Sequence, residues 1–538
     1  VSRVVVVGAG VAGLAAATLL AREGDDVEVV DRLDVVGGRA GTWEHAGFTF
    51  DLGPSWFLMP EVFESYYAEV GTTTAAQLDL VALDPAYRVL AEDAAPLDVR
   101  SGRAAATALF ESVEPGAGER LGRYLDEAHD VYRTAVDHLL RTDFGRLRDL
   151  FVPALLRRLP TLVRLLVVPL DRHVRSRFAD RRLRQILGYP AVFLGTRPER
   201  APSMYHLMSH LDLVDGVRYP RGGFGEVTRS LARLAEEAGV RITLGTEVTA
   251  VRTSRGVGRI RTARRPRAHV TGVDVLGPGG PRTIDADVVV HAGDLHHLET
   301  QILPAHLRTY PERWWAGRDP GPGAVLVHLG VRGELPQLTH HTLMFTRDWT
   351  TGFDAVDGRR PLPDPASIYV CAPSRTDPGV APAGHETLFV LVPVHADPAL
   401  GRGGLDGAGD PGVEDIADRA VAQLGAWAGI PDLAERVVVR RTVGPGDMAA
   451  DLHAWRGGAL GPAHTLRQSA MFRARSTSRH VDGLVHAGAS TVPGVGVPMC
   501  LLSAQVARDT LARAPGRDAG AGAPVHVRRP SSQDGGRR

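Results

Sequence analysis

Three glycines in the run Gly8-Ala9-Gly10-Val11-Ala12-Gly13 follow a block of valines and open an alanine-rich stretch. That spacing suits a dinucleotide pyrophosphate. Gly8 permits the tight turn, Gly10 lets phosphate approach the backbone, and Gly13 lets helix and strand pack closely, with Ala12 beside it. The helix start then offers free N–H groups and a positive dipole end to the phosphates. An acidic residue is wanted at the end of the following strand to bind a ribose hydroxyl, and Asp31 stands there. A second glycine pair, Gly37-Gly38, precedes Arg39, whose fork matches a phosphate.

Other chemistries are narrowed by what the chain lacks. Cys371 and Cys500 are far apart and no CxxC occurs, which excludes a thiolate zinc site and a disulfide framework. There is no lysine, so there is no Schiff-base or Walker lysine, and no asparagine. His206 and His210 have helical spacing, and His296-His297 and His340-His341 are adjacent, but no HExxH or third-ligand spacing accompanies them. They read as structural or tunnel-lining histidines, and no metal is expected. Lysine plus arginine equals aspartate plus glutamate, 62 each, so no net field favours nucleic acid.

The elements that must position these residues are legible in outline. Val4–Val7 reads as a strand, Val11 to Arg22 as a helix, Val27–Val30 as a strand, and Trp43–Asp51 as a strand pair. Residues 96–215 look helical and rich in Leu and Arg. Strand patterns return at 240–251 and 288–290, flanking an arginine-studded loop or hairpin at 253–283. Residues 301–465 mix short strands (Ala324–Val327, Thr387–Val394, Val437–Arg440) with a helix at Val413–Ala428, and 483–510 reads strand, glycine loop, helix. The expected class is α/β with a Rossmann-type start and a disordered tail (516–538). The longest apolar stretch, 151–170, is interrupted by Arg157, Arg158 and Arg164 and by three prolines, so no spanning helix is expected. No signal peptide is recognised, and the expected location is cytoplasmic.

Four further stretches carry a resemblance. They are Phe50-Asp51-Leu52-Gly53-Pro54-Ser55-Trp56-Phe57-Leu58-Met59-Pro60-Glu61, Arg218-Tyr219-Pro220-Arg221-Gly222-Gly223, Gln468-Ser469-Ala470-Met471-Phe472-Arg473, and Gly488-Ala489-Ser490-Thr491-Val492-Pro493-Gly494-Val495-Gly496-Val497-Pro498. With the N-terminal fingerprint they resemble the bacterial phytoene desaturases, carotenoid dehydrogenases of the amine-oxidase-like flavoprotein superfamily, over residues 3 to 513. Gly293-Asp294-Leu295 and His486 depart from the common pattern, and the missing lysine and asparagine fit actinobacterial members. The resemblance implies a discontinuous Rossmann-type cofactor domain (1–95, 216–300, 466–515), an inserted mixed-sheet substrate domain (301–465) and a helical lid (96–215). It also implies FAD, with Asp31, Arg32, Gly38, Arg39, Gly53, Pro54 and Ser55 among its contacts, Val248 holding adenine by its backbone, and Gly488, Ala489, Val497, Pro498 and Met499 under the isoalloxazine ring. Cys500 sits among Met499, Leu501 and Leu502 and reads as a buried inert thiol, so the FAD is expected to be non-covalent.

The implied reaction is desaturation of phytoene to lycopene or a partly desaturated intermediate, by hydride transfer to flavin N5 and loss of a proton. The polyene has no acid, amine or alcohol to grip, so alignment and water exclusion carry the catalysis. Asp149 and Asp212 are the candidate proton acceptors. The electron acceptor is a quinone or O2. A bilayer-borne substrate calls for contact with the inner face of the cell membrane, and residues 146–178 supply leucines, valines and an arginine fringe for it. A flavin-dependent isomerase or ketolase, an amine-oxidase-like oxidase and a prenyl-binding escort protein are the rival readings. The missing lysine counts against the oxidase, and the intact glycine motifs count against the escort.

Overall fold

The computed structural model describes residues 1–143, 153–254 and 267–513, and of residues 153–157 the backbone alone. Asp149, the tail at 516–538 and residues 255–266 of the arginine-studded stretch lie outside the described residues.

The valine block Arg3–Val7 is buried on both faces, which is why its sequence runs apolar without alternation. It is the centre of a five-stranded parallel sheet in the order Leu484–His486, Val288–His291, Arg3–Val7, Asp26–Val30, Arg241–Thr243. Helix Val11–Arg22 is buried from Val11 to Leu20, and its small alanines let it pack against helices Gly225–Glu237 and Val497–Ala512. Thus the start, middle and end of the chain build one layer.

An antiparallel sheet of Glu247–Ser254, Ala268–Gly277 and Gly280–Asp285 flanks that layer, with Val481–Asp482 pairing parallel to its middle strand. A seven-stranded mixed sheet forms the other body. Its order is Val437–Val443, Gly323–Arg332, His385–Val394, Ile368–Cys371, His341–Phe345, Tyr87–Ala91, Ala94–Val99. Helix Pro411–Ala428 covers one face with Val413, Ile416, Ala420 and Leu424. Tyr87–Val99 joins this sheet by parallel pairing with His341–Phe345, although the expected cofactor segment ran to residue 95. Its neighbours in sequence are helices Arg103–Val113, Ala117–His138, Pro153–Val167 and Arg181–Gly188.

Candidate functional site

The two glycine turns form one cradle. Gly8 has φ +107° and donates its N–H to the Val30 carbonyl at 2.8 Å, so the turn is pinned to the neighbouring strand. A Cβ on Gly13 would overlap the Gly8 carbonyl oxygen, so only glycine lets this helix come so close. Gly37 donates to the Ala9 carbonyl at 2.9 Å, which brings Gly38 beside Gly10. Gly10 starts the first helix with no side-chain cap, and the first turn holds no acid. Its orphan N–H groups are therefore open to an anion. Arg39 Nε is buried with no hydrogen-bond partner, and the Arg39 carbonyl lies where a Cβ on Gly53 would come within 2.5 Å. An unpartnered guanidinium nitrogen beside an uncapped helix start fits a dinucleotide pyrophosphate.

Asp31 accepts the Ala9 N–H at 2.6 Å and the Leu33 N–H at 2.8 Å, one on each oxygen. Burial raises its carboxyl above the ordinary range, with the two N–H donors opposing. It thus braces the glycine turn, and each oxygen retains lone-pair capacity for a ribose hydroxyl. Arg32 points elsewhere, donating to the carbonyls of Ala450 and Asp451. Val248 is buried near the start of its strand, opposite Val275.

The C-terminal motif is held from behind. Gly488 donates its N–H to Ser503 Oγ at 2.9 Å, and Gly496 starts helix Val497–Ala512 with no side-chain cap, Pro498 and Met499 lying in the first turn. A side chain at Gly494, φ +146°, would run into the His464 ring. His464 Nε2 accepts the Val495 N–H at 3.2 Å, so Nδ1 carries the proton and donates to Tyr205 Oη at 2.8 Å, while Tyr205 donates to Ser469 Oγ at 2.9 Å. Burial holds this imidazole well below its usual range, and Arg473 adds to the effect. Burial pushes the Cys500 thiol up to about 11, with Arg39 opposing, so little thiolate exists at neutral pH to form a covalent link.

An aromatic cluster gathers around Ser55 and Trp56, just after Gly53. Ser55 Oγ and Tyr369 Oη are 2.7 Å apart, and Tyr369 Oη lies 2.7 Å from His341 Nδ1. Trp56 stacks on His341 with centroids 4.8 Å apart and lies 5.2, 5.7 and 5.4 Å from the rings of Tyr87, Tyr189 and Phe193. Behind them, Asp212 Oδ2 accepts the hydroxyls of Tyr87 and Tyr189 at 3.2 and 3.0 Å, while Oδ1 is buried without a partner. Burial raises this carboxyl to about 7, against the pull of the two tyrosines. Asp51 ties the first motif to the second by accepting the N–H groups of Phe224 and Gly225 at 2.9 and 3.1 Å; burial raises it to about 6.

Tyr87, Tyr189, Tyr369, His464 and Tyr205 were not singled out from the sequence, because each is brought in by pairing or packing across long separations. The histidines also group in ways that spacing did not reveal. Glu127, His173 and His206 converge, as do His340, His341 and Cys371, and Glu247, His297 and His453. His210 leaves His206 and meets His129 at 3.0 Å. His486 lies opposite His291 inside the parallel sheet, and burial lowers its imidazole to about 4, so it is neutral there.

The arginine fringe needs correction. Leu159, Val163 and Val167 form an exposed stripe at 50, 50 and 64% exposure, but Leu165 and Leu170 are buried in the core. Arg164 and Arg177 pair with Glu127, Arg158 with Asp130, and Arg175 with Asp171, so these cations are engaged within the protein. Among the described residues, no helix is long and apolar enough to cross a membrane.

The sequence profile of the family described as flavin containing amine oxidoreductase matches residues 11–509. The chain is 38% identical to the carotenoid 3,4-desaturase of Haloarcula japonica, across 94% of this chain and 97% of that one. It is 35% identical to the zeta-carotene-forming phytoene desaturase of Myxococcus xanthus, across 95 and 93%. Among solved structures, putrescine oxidase bound to putrescine superposes with a TM-score of 0.58 at 16% identity, covering 95% of this chain and 99% of that one, which is a likeness of fold.

Proposed function

The chain belongs to the flavin-containing amine oxidoreductase family and to its phytoene-desaturase-like group, and we propose that it is an FAD-dependent carotenoid desaturase. The observation that carries this reading is the aromatic cluster beside Ser55: the rings of Trp56, Tyr87, Tyr189 and His341 pack there with neutral hydrogen-bonding groups, and Asp212 lies behind them as a carboxyl raised by burial. Such a cluster offers a hydrocarbon flat aromatic surfaces.

Bound FAD supplies the acceptor for a hydride, that is, two electrons and one proton's worth of hydrogen from a C–H bond. The protein's own groups do the rest. The glycine cradle, Asp31 and Arg39 anchor the cofactor, and the Ala489–Met499 segment supports its ring. Trp56, Tyr189 and Phe193 align the polyene and exclude water. Hydride loss leaves an allylic cation, which conjugation and the faces of these rings stabilise. The second hydrogen leaves the adjacent carbon as a proton, and Asp212, through Tyr87 or Tyr189, receives it. A carboxyl titrating near 7 can take such a proton and return it to solvent. A quinone or O2 would take up the electrons.

The cofactor part is built from 1 to about 80, 216–300 and 466–513, and the substrate part from 301–465 with Tyr87–Val99. The exposed stripe Leu159, Val163 and Val167 is the membrane contact through which an apolar substrate enters. Phytoene in liposomes, supplied with FAD-loaded protein and a quinone, is expected to give products absorbing at longer wavelength, with no NAD(P)H added. Phytoene left intact while putrescine is oxidised would show the chemistry to be that of an amine oxidase.

A further inference from the structure

Arg473 closes the Gln468–Arg473 stretch and is only 4% exposed. Its Nε donates to the Thr491 carbonyl at 2.9 Å. One terminal nitrogen donates to the carbonyls of Pro462 and Gln468 at 3.0 and 3.2 Å, and the other to that of Ala489 at 2.6 Å. Every acceptor is neutral. The charged or titratable groups facing it are Arg318, Tyr205 and His464, and none of them is a carboxylate. Burial lowers the guanidinium to about 10, with Tyr205 opposing and Arg318 assisting, so it is still a cation at neutral pH.

A buried charge is ordinarily paired, because leaving it alone costs several kcal/mol. Here every nitrogen of the cation is hydrogen-bonded, yet no described residue provides its anion. Two of its four acceptors, Ala489 and Thr491, belong to the segment that ends in the uncapped helix start at Val497. Both features place positive potential at one segment. Two-electron reduction of a flavin with uptake of one proton leaves one negative charge on the ring, and that charge is the counterpart the polypeptide lacks.

We propose that Arg473 is a positioning residue and the fixed countercharge of the bound flavin: it ties down the Ala489–Thr491 backbone, and its charge favours the reduced, anionic ring. The proposal rests on the reading that the Gly488–Met499 segment holds the flavin. His464 completes the support, fixing Val495 as a neutral ring that brings no competing charge.

The test compares FAD-loaded wild type, Arg473→Gln and Arg473→Lys by reductive titration against a reference dye. Glutamine keeps N–H donors for the carbonyls and loses the charge, whereas lysine keeps the charge and loses the fork. The reduction equilibrium of Arg473→Gln is expected to shift at least about tenfold toward the oxidised form, about 30 mV for a two-electron couple, with Arg473→Lys staying near wild type. If both variants melt earlier and lose FAD while the flavin they retain keeps the wild-type potential, Arg473 is merely structural and the proposal falls. A measurement on wild type alone guards against variants that do not fold. Over about pH 5 to 6 its potential should change by about 30 mV per pH unit, one proton per two electrons. A slope of about 60 mV, two protons per two electrons, overturns the proposal. Wild-type protein that takes up no FAD would instead refute the cofactor site, a separate failure.

Discussion

Replacing Asp212 by Asn separates what this carboxyl does for the reaction from what it does to the fold. The group is 2% exposed and its carboxyl titrates near 7 instead of 3.8, chiefly because burial penalises the anion. Its folded value is raised, so its contribution to stability is fully present below the unfolded value and is lost as pH rises through about 7. A carboxyl raised from 3.8 to about 7 makes its ionised form cost the fold on the order of 4 kcal/mol above pH 7. Asparagine retains an oxygen for the hydroxyls of Tyr87 and Tyr189 and carries no charge. Asp212→Asn is therefore expected to melt several degrees above wild type at about pH 8 and close to wild type at about pH 4. Desaturation should fall at least about tenfold, since the general base is gone, with FAD content unchanged. In wild type the rate should rise with pH through about 7 as the acceptor ionises. Differential scanning fluorimetry across pH and product absorbance supply both readouts. If the variant melts no higher than wild type at pH 8, the carboxyl is not a buried strained anion. If it also turns over normally, the proton leaves by another route.

Asp31→Ala removes the acceptor of the Ala9 and Leu33 N–H groups as well as a ribose partner, so FAD affinity should fall about ten- to a hundredfold, the equivalent of one or two charge-assisted hydrogen bonds. Ultrafiltration of the yellow protein checks this, and full FAD retention would refute it. Leu159→Ser, Val163→Ser and Val167→Ser together expose no core surface, so sedimentation with anionic liposomes should be lost while melting and FAD content hold. Sedimentation that survives the triple change would place the membrane contact elsewhere.

The cofactor half of this site was legible because it is local. A β-branched run, a glycine turn and an alanine-rich helix lie within the first 22 residues, and the helix runs Val11–Arg22 as its periodicity predicts. The Trp43–Asp51 pair is a hairpin of Thr42–His45 and Phe48–Asp51, and Val413–Ala428 gains two N-terminal residues, Pro411 and Gly412. The contacts that knit the rest of the site together were not legible, because they join across the chain: Tyr87 with Asp212, Ser55 with Tyr369, His464 with Val495. No period or spacing encodes those contacts; they follow from which strands pair. The arginine fringe misled for a related reason. Composition reports that a helix carries cations, but not that Glu127 on helix Ala117–His138 lies beneath Arg164.

Asp212 and Arg473 are both buried, are of opposite sign when ionised, and have no ion-pair partner among the described residues. Asp212 is held by phenol hydroxyls and no cation, Arg473 by carbonyl oxygens and no anion. Side by side they would form one salt bridge and satisfy each other. Instead each is fixed by neutral dipoles, Asp212 by the phenols of Tyr87 and Tyr189 behind Trp56 and Arg473 by backbone carbonyls behind the Gly488–Met499 loop. A hydride transfer separates charge in the same sense, leaving a carbocation on the polyene and an anion on the flavin. Preorganised charge that lacks a partner before the transfer and gains one during it stabilises the transition state more than the ground state. On that argument, exchanging either residue for a neutral one should slow the chemical step more than it weakens substrate binding, lowering kcat with little change in KM.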